Sequence, residues 1–221
     1  CLLAGGGGGL LCILGVYAVE PSDLQQLLFH GSDAFGCSKA NSAAARLHDL
    51  NPLCRMHVRD VMLDITNVMD LIADYDVVCD GTDNFVSRYL INDACVLSGK
   101  PLIYGSVQRF EGQVSVFNCN PDSPNFRDLL PVPPLPGAIP SCSEAGVMGV
   151  MPGLIGLLQA TETIKLITGI GRCLDGRLLV VDALSMRFRE LTLRRDPDRA
   201  PIKELIDCAQ FSGLATTAMD P

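Results

Sequence analysis

Short apolar runs alternate along this chain with longer amphipathic stretches, and the alternation predicts strands and helices in turn. "YDVVCDGTDN" carries an apolar run, Val77 to Cys79, that ends in polar and glycine residues, and "KPLIYGSV" repeats the pattern one helix later. Between them, "FVSRYLINDACVLSGK" sets Tyr89, Leu90, Ala94, Val96 and Leu97 near helical spacing and closes on Gly99, where a C-terminal cap glycine belongs. "SKANSAAARLHDLNP" reads as a second helix stopped by Asn51 and Pro52, and "ITNVMDLIADY" as a third with Leu71 and Ile72 on its apolar side. Alternating strands and helices predict an α/β fold, a mostly parallel sheet with helices on both faces.

The texture changes near Gly105. "GSVQRFEGQVSVFN" has the alternation of antiparallel strands, with Val107, Phe110, Val114, Val116 and Phe117 as the apolar set. Seven prolines follow between Asn120 and Gly146, a density that predicts a surface connector, neither helix nor central strand. "VMGVMPGLIGLLQATETIKLITG" then reads as an apolar helix ended by Gly169, and "GRLLVVDALSMRFRELTL" as two strands with a turn. Residues 1–195 form one domain on this reading, and the polar stretch 196–221 a linker. At the other end five glycines, Gly5 to Gly9, are followed by Leu10 to Leu14 and at once by the strand-like "GVYAVE". That leaves hardly any room for the helix whose N-terminal amides a phosphate loop requires, so the first βαβ unit is expected to be incomplete.

With 221 residues and 48% hydrophobic content the chain can bury a substantial core. No apolar run reaches the roughly eighteen residues that span a bilayer, and the Leu-rich start lacks a basic flank and a cleavage site. A soluble, cytoplasmic protein is expected, with no membrane partner. Ten cysteines are scattered through apolar segments without any CxxC pair, a distribution that predicts reduced, buried thiols. A net charge of −8 argues against a nucleic-acid surface, and the basic stretch "MRFRELTLRRDPDR" is either a local basic patch or, as the favoured reading, a solvated strand edge.

Three constellations carry candidate chemistry. "DGTDNFVSRYLIND" puts Asp83, Asn84, Arg88 and Asn92 at the exit of a strand and along the next helix, where open α/β sheets bind ligands. There a carboxylate can hold Mg²⁺ against phosphate, an arginine neutralise charge and an asparagine fix orientation, or else Asp83 or Thr82 simply caps the helix. "PSDLQQLLFHG" followed by "GCSKANSAA" brings Ser22, Asp23, Gln25, Gln26 and His30 before Lys39. A cation at the front of a helix opposes the dipole unless an anion sits beside it, and Lys39 is either such an anion contact or an ordinary exposed lysine. Cys142, in the proline-bounded "PSCSEAGVMG" ahead of a helix, is the candidate reactive thiol, with a structural cysteine as the alternative.

The stretch "YDVVCDGTDNFVSRYLINDACVLSGKPLIYGSVQRFEGQVSVFN", joined to "IPSCSEAGVMGVMPGLIGLLQATETIKL", resembles the ThiF/MoeB family of ubiquitin-activating-enzyme-like adenylyltransferases, over residues 5 to about 213. The resemblance implies a Rossmann-like fold that binds ATP and Mg²⁺. It also implies adenylation of the C-terminal Gly-Gly of a ubiquitin-like sulfur-carrier protein, as in molybdopterin synthesis and tRNA thiolation. It makes Asp83 the Mg-ATP carboxylate with Asn84 beside it, Lys39 a phosphate contact, and Ser22, Asp23, Leu24, Gln25 and Gln26 the segment along the nucleotide. Gly6, Gly8 and Gly9, in "GGGGLL", match the family's glycine loop. Cys142 matches the cysteine that takes the carrier into a thioester or persulfide-linked intermediate, and Arg109 to Gln113, "RFEGQ", the motif that shapes the docking surface. A homodimer is implied, and a rhodanese sulfurtransferase acting in trans or on a further domain. Several positions depart from the pattern: no acid stands near Tyr17 and Ala18 for the ribose, Asp23 replaces an asparagine and Gln26 an arginine. "NFRD", Asn125 to Asp128, and "DPDRAPI" replace the cysteine pairs that bind zinc in many relatives, so no zinc site is expected. A homologue that binds the carrier without activating it is the alternative.

Overall fold

The structure, a computed structural model, describes residues 3, 9–21, 23, 30–134 and 146–206. Strand β1 (Leu10–Leu14), helix α1 (Lys39–Leu50) and strand β2 (Arg55–Arg59) form a parallel βαβ unit with Cys12 opposite His57. Leu11, Ile13 and Met56 turn one face of this pair toward Leu47 of α1. No helix stands between Gly9 and β1, in keeping with the helix expected to be missing there, and the strand that follows the glycines is "LLCIL" rather than "GVYAVE". A short apolar run without alternation gives no period by which to place a strand, whereas "GVYAVE" carries the β-branched and aromatic residues that announce one. Of "GVYAVE", Ala18 alone makes a bridge, to Ser38. Strand β2, "RMHVR", lacks the apolar run that announces a strand and went unpredicted.

A separate five-stranded sheet follows, in the order β3 (Val78–Asp80), β4 (Leu102–Gln108), β5 (Glu111–Phe117), β6 (Arg177–Asp182) and β7 (Arg187–Thr192). Strands β3 and β4 are parallel, joined by α3 (Phe85–Ser98), and α2 (Val68–Ala73) precedes them. The remaining pairs are antiparallel, as the change of texture at Gly105 predicts. Helix α3 ends on Gly99 at φ 63°, the left-handed cap expected of that glycine.

Side chains alternate across this sheet, so β4 and β5 feed two cores. Leu102, Tyr104 and Phe117 pack with Tyr89, Leu90 and Phe126 on one face. Ile103, Val114 and Val116 pack with Met151, Ile155 and Val181 on the other, under helix α5 (Val150–Thr168). Helices therefore cover both faces. Gly105 and Gly112 admit α5 closely: a Cβ on the first would fall on the Gln159 amide, and one on the second on the Ile155 side chain. By length and composition α5 would also span a bilayer, against the expectation that no run does so, yet it carries a buried Glu162 and lies on the sheet.

The proline-rich connector holds one helical turn, α4 (Phe126–Leu129), where no helix was expected. Asn125 and Asp128 form a reciprocal capping box that overrides the surrounding prolines, and Phe126 plugs into the core. Asp128 Oδ2 also accepts from Arg199 Nη2 at 3.0 Å, Asp128 Oδ1 from Asp196 N–H at 2.9 Å, and Asn125 Oδ1 from Arg199 Nη1 at 2.9 Å. With Ile206 buried as well, residues 196–206 pack on the domain rather than leaving it as a linker. Among the described residues all seven cysteines are thiols; Cys54 and Cys95 are buried as expected, whereas Cys37 and Cys79 are exposed.

Candidate active site

Strand β3 ends in a loop whose shape is fixed from below. Asp80, buried at the strand's end, accepts from Thr82 N–H at 2.8 Å and from Thr82 Oγ1 at 2.7 Å, which folds residues 80–82 into a tight turn. Burial pushes the Asp80 carboxyl above its ordinary range, against the opposing pull of Arg88 and the Thr82 hydrogen bonds. From the other face Gln159 Nε2 donates to the Asp80 carbonyl at 2.7 Å and to the Ile103 carbonyl at 3.2 Å, pinning the ends of β3 and β4 together.

Arg88 and Asn92, read from sequence as ligand-facing, are internal. Arg88 is buried and spends Nε and Nη2 on the Thr82 carbonyl, at 3.2 and 2.6 Å, and Nη1 on Ser106 Oγ at 2.7 Å and the Tyr104 hydroxyl at 3.3 Å. It positions the loop instead of meeting an anion. Asn92 Oδ1 accepts from Phe126 N–H at 2.8 Å, so this asparagine ties α3 to α4. The i, i+4 spacing that sets both residues on one helical face does not reveal whether that face looks out or in.

Above this scaffold stand Asp83 and Asn84, both exposed. Asn84 is the N-cap of α3, its Oδ1 accepting from Ser87 N–H at 2.8 Å. The cap is therefore neither Asp83 nor Thr82, and Asp83 accepts no hydrogen bond from another described residue. A solvent-facing carboxylate at the C-terminal end of a parallel strand, one residue ahead of a helix, suits one inner-sphere contact to Mg²⁺, a cation that commonly takes one or two carboxylates and leaves the rest to phosphate and water.

The second constellation is built on the first βαβ unit. Lys39 is the first residue of α1, behind a Ser38 cap, and its Nζ donates to Asp23 Oδ1 at 2.8 Å. Asp23 Oδ2 accepts from Glu20 N–H at 2.8 Å. Burial raises the Asp23 carboxyl, but the hydrogen bonds from Lys39 and Glu20 and the nearby positive charge prevail and hold it below its ordinary value. His30 Nδ1 lies 2.9 Å from Ser42 Oγ, and burial lowers its pKa. The anion that a lysine at this end of a helix calls for is thus a carboxylate of the chain itself.

Gly9 stands directly before β1, at the strand's N-terminal end and with no helix after it, which is not the setting of a phosphate loop. Gly6, Gly8, Ser22, Leu24, Gln25, Gln26 and Cys142 lie outside the described residues. The chain re-enters the described structure at Gly146, where Val147 bridges Arg109 and Met148 N–H donates to the Arg109 carbonyl at 2.9 Å. Arg109, at φ 52°, makes the β4–β5 turn, so "RFEGQ" anchors the approach to α5.

The sequence matches the ThiF family over residues 2–202. It is 48% identical over 215 residues to the probable adenylyltransferase/sulfurtransferase MoeZ of Mycobacterium tuberculosis, covering 96% of this chain and 55% of that one. To the sulfur carrier protein adenylyltransferase of Thermus thermophilus it is 43% identical, over 96% of this chain and 82% of the relative. The chain spans about half the length of MoeZ and likewise of the adenylyltransferase and sulfurtransferase MOCS3 of Drosophila grimshawi, at 55% and 50%. Among solved structures, Escherichia coli MccB superimposes with a TM-score of 0.78 over 91% of this chain and 62% of its own, at 16% identity, a likeness of fold. With the family matched along nearly all of its length and relatives this similar, the chain belongs to the ThiF family.

Proposed function

We propose that this protein adenylates the C-terminal Gly-Gly of a ubiquitin-like sulfur-carrier protein at the expense of ATP. The observation that carries the reading is the exposed Asp83 carboxylate at the end of β3, in a chain 43% identical to a sulfur carrier protein adenylyltransferase. A carboxylate oxygen of the carrier attacks the α-phosphorus, the bond to the β-phosphate oxygen breaks, and pyrophosphate leaves with the electron pair. A Mg²⁺ bound with the nucleotide would supply charge neutralisation for the leaving group. Asp83 would hold that cation, Asn84 orders the helix start beside it, and Lys39 would meet phosphate. The protein's task is placement and charge, since the carrier brings its own nucleophile. The Cys142 thiolate then attacks the carrier's acyl-adenylate carbonyl and expels AMP to leave a thioester, or, once a rhodanese in trans or on a further domain has passed sulfane sulfur from its own persulfide to Cys142, the outer sulfur of that persulfide attacks the same carbonyl and expels AMP to leave a persulfide-linked carrier. A cytoplasmic homodimer, paired in part through the exposed side of α5, completes the reading.

ATP–pyrophosphate exchange is the test. Exchange that requires a Gly-Gly-ended carrier and falls roughly a hundredfold or more in Asp83→Asn supports it. Absent exchange from a folded chain that still binds carrier leaves a docking module and sinks the enzyme. For Cys142, a carrier adduct on a non-reducing gel should vanish in Cys142→Ala; a persistent adduct removes that role.

A further inference from the structure

Lys39 is held at the end of a helix where a cation is disfavoured, and what holds it there is Asp23. Both oxygens of that carboxylate are occupied, one by Lys39 Nζ and one by Glu20 N–H, each at 2.8 Å. The two partners differ in access: the Asp23 side chain is 9% exposed and that of Lys39 32%, so an anion arriving from solvent reaches the ammonium first. The Tyr17 ring, 6.0 Å from Nζ, flanks the lysine, and His30 is the other titratable group acting on the pair. Burial disfavours the charge on His30, and within the pair the Asp23 carboxylate offsets the Lys39 ammonium that an incoming phosphate would meet.

Resting on the reading of Lys39 as a phosphate contact, we infer that Asp23 sets the polyphosphate affinity of this site by competing with the ligand for the Lys39 ammonium. A polyphosphate draws Lys39 away from Asp23, or shares it, and leaves a buried carboxylate whose remaining partner among the described residues is the Glu20 N–H. That rearrangement costs free energy that a neutral side chain at position 23 does not demand. Asn at position 23 keeps an oxygen for Glu20 N–H, so it removes the charge with little change of shape.

Calorimetric titration of the whole chain with inorganic tripolyphosphate, ATP, AMP and adenosine tests this, with folding followed by thermal melts and Asp23→Ser as a second neutral variant. Asp23→Asn should bind tripolyphosphate and ATP about threefold to tenfold more tightly, AMP less so and adenosine equally. The gain should shrink at high salt and disappear in a Lys39→Met background, neither of which a purely structural effect of the substitution would produce. Unchanged or weakened tripolyphosphate binding in both neutral variants, or a gain that survives without Lys39, overturns the inference. Tighter tripolyphosphate with no ATP binding would keep the competition and sink the nucleotide reading. ATP binding that Asp23→Asn does not tighten would do the reverse, and binding of neither ligand by any variant overturns both.

Discussion

Two carboxylates three residues apart, Asp80 and Asp83, divide the work at the end of β3. Asp80 is buried and shapes the loop through Thr82, while Asp83 faces solvent with its oxygens uncommitted to any other described residue. Composition cannot separate them, since both sit in one "DGTD" beside the same helix. What separates them is that the strand's last residue still points into the sheet and the loop's does not. The same limit explains Arg88 and Asn92, legible as a helical face but not as an inward one. Asp23 is the counterpart on the other unit, and it carries a prediction about acid. Its carboxyl is held below its ordinary value of 3.8, so the ion pair contributes stability above the unfolded pKa and loses it as pH falls through the lower folded value. Lys39→Met should therefore melt below wild type by an amount worth about 0.5–1 kcal/mol from roughly pH 5 upward, with the two curves converging only once the pH falls below the lowered folded value of Asp23. A difference that persists unchanged into strong acid would mean that Lys39 stabilises by packing rather than by charge.

Elements were legible where one signal acted alone. Helices α1, α3 and α5 follow from period and caps, and the switch from parallel to antiparallel strands from the alternation after Gly105. The failures came where two signals competed: an apolar run without period at Leu10–Leu14, a basic strand at Arg55–Arg59, and a capping box inside a proline-rich stretch. The last of these has an energetic consequence. The two segments read as having lost their zinc-binding cysteines are joined instead by Arg199, across Asp128 and Asn125, with the Asp128 side chain fully buried. Arg199→Ala leaves that carboxylate without its charge partner and should cost about 1–3 kcal/mol in chemical denaturation. Arg199→Lys should recover only part of it, because one ammonium cannot reproduce the paired donors that meet both Asn125 and Asp128. Equal stability of wild type and Arg199→Ala would show that residues 196–206 are held by Ile206 and its neighbours alone.

At the scale of the molecule, α5 has unequal faces, and the proposed dimer would use the outer one. One face lies on the sheet through Met151 and Ile155, yet the helix is apolar nearly all round, and a helix of that kind is ordinarily covered on every side. Val150 is 63% exposed and Leu157, two turns on, 48%, with open space above Gly153 between them. A net charge of −8 keeps single copies apart at long range, so the proposed pairing would have to come from apolar contact at short range. A second copy supplies the same stripe by symmetry, and glycine at its centre lets two such helices approach closely. The mass in solution should then be about twice the 23.7 kDa of one chain, measured by light scattering. Leu157→Glu places a carboxylate against its own symmetry mate or close to it and should return the mass to that of a single chain. Because Leu157 points away from the sheet, the variant should keep the wild-type circular dichroism and carrier binding. A dimer that tolerates Leu157→Glu would move the interface off this face, and a wild-type monomer across micromolar concentrations would remove the pairing altogether.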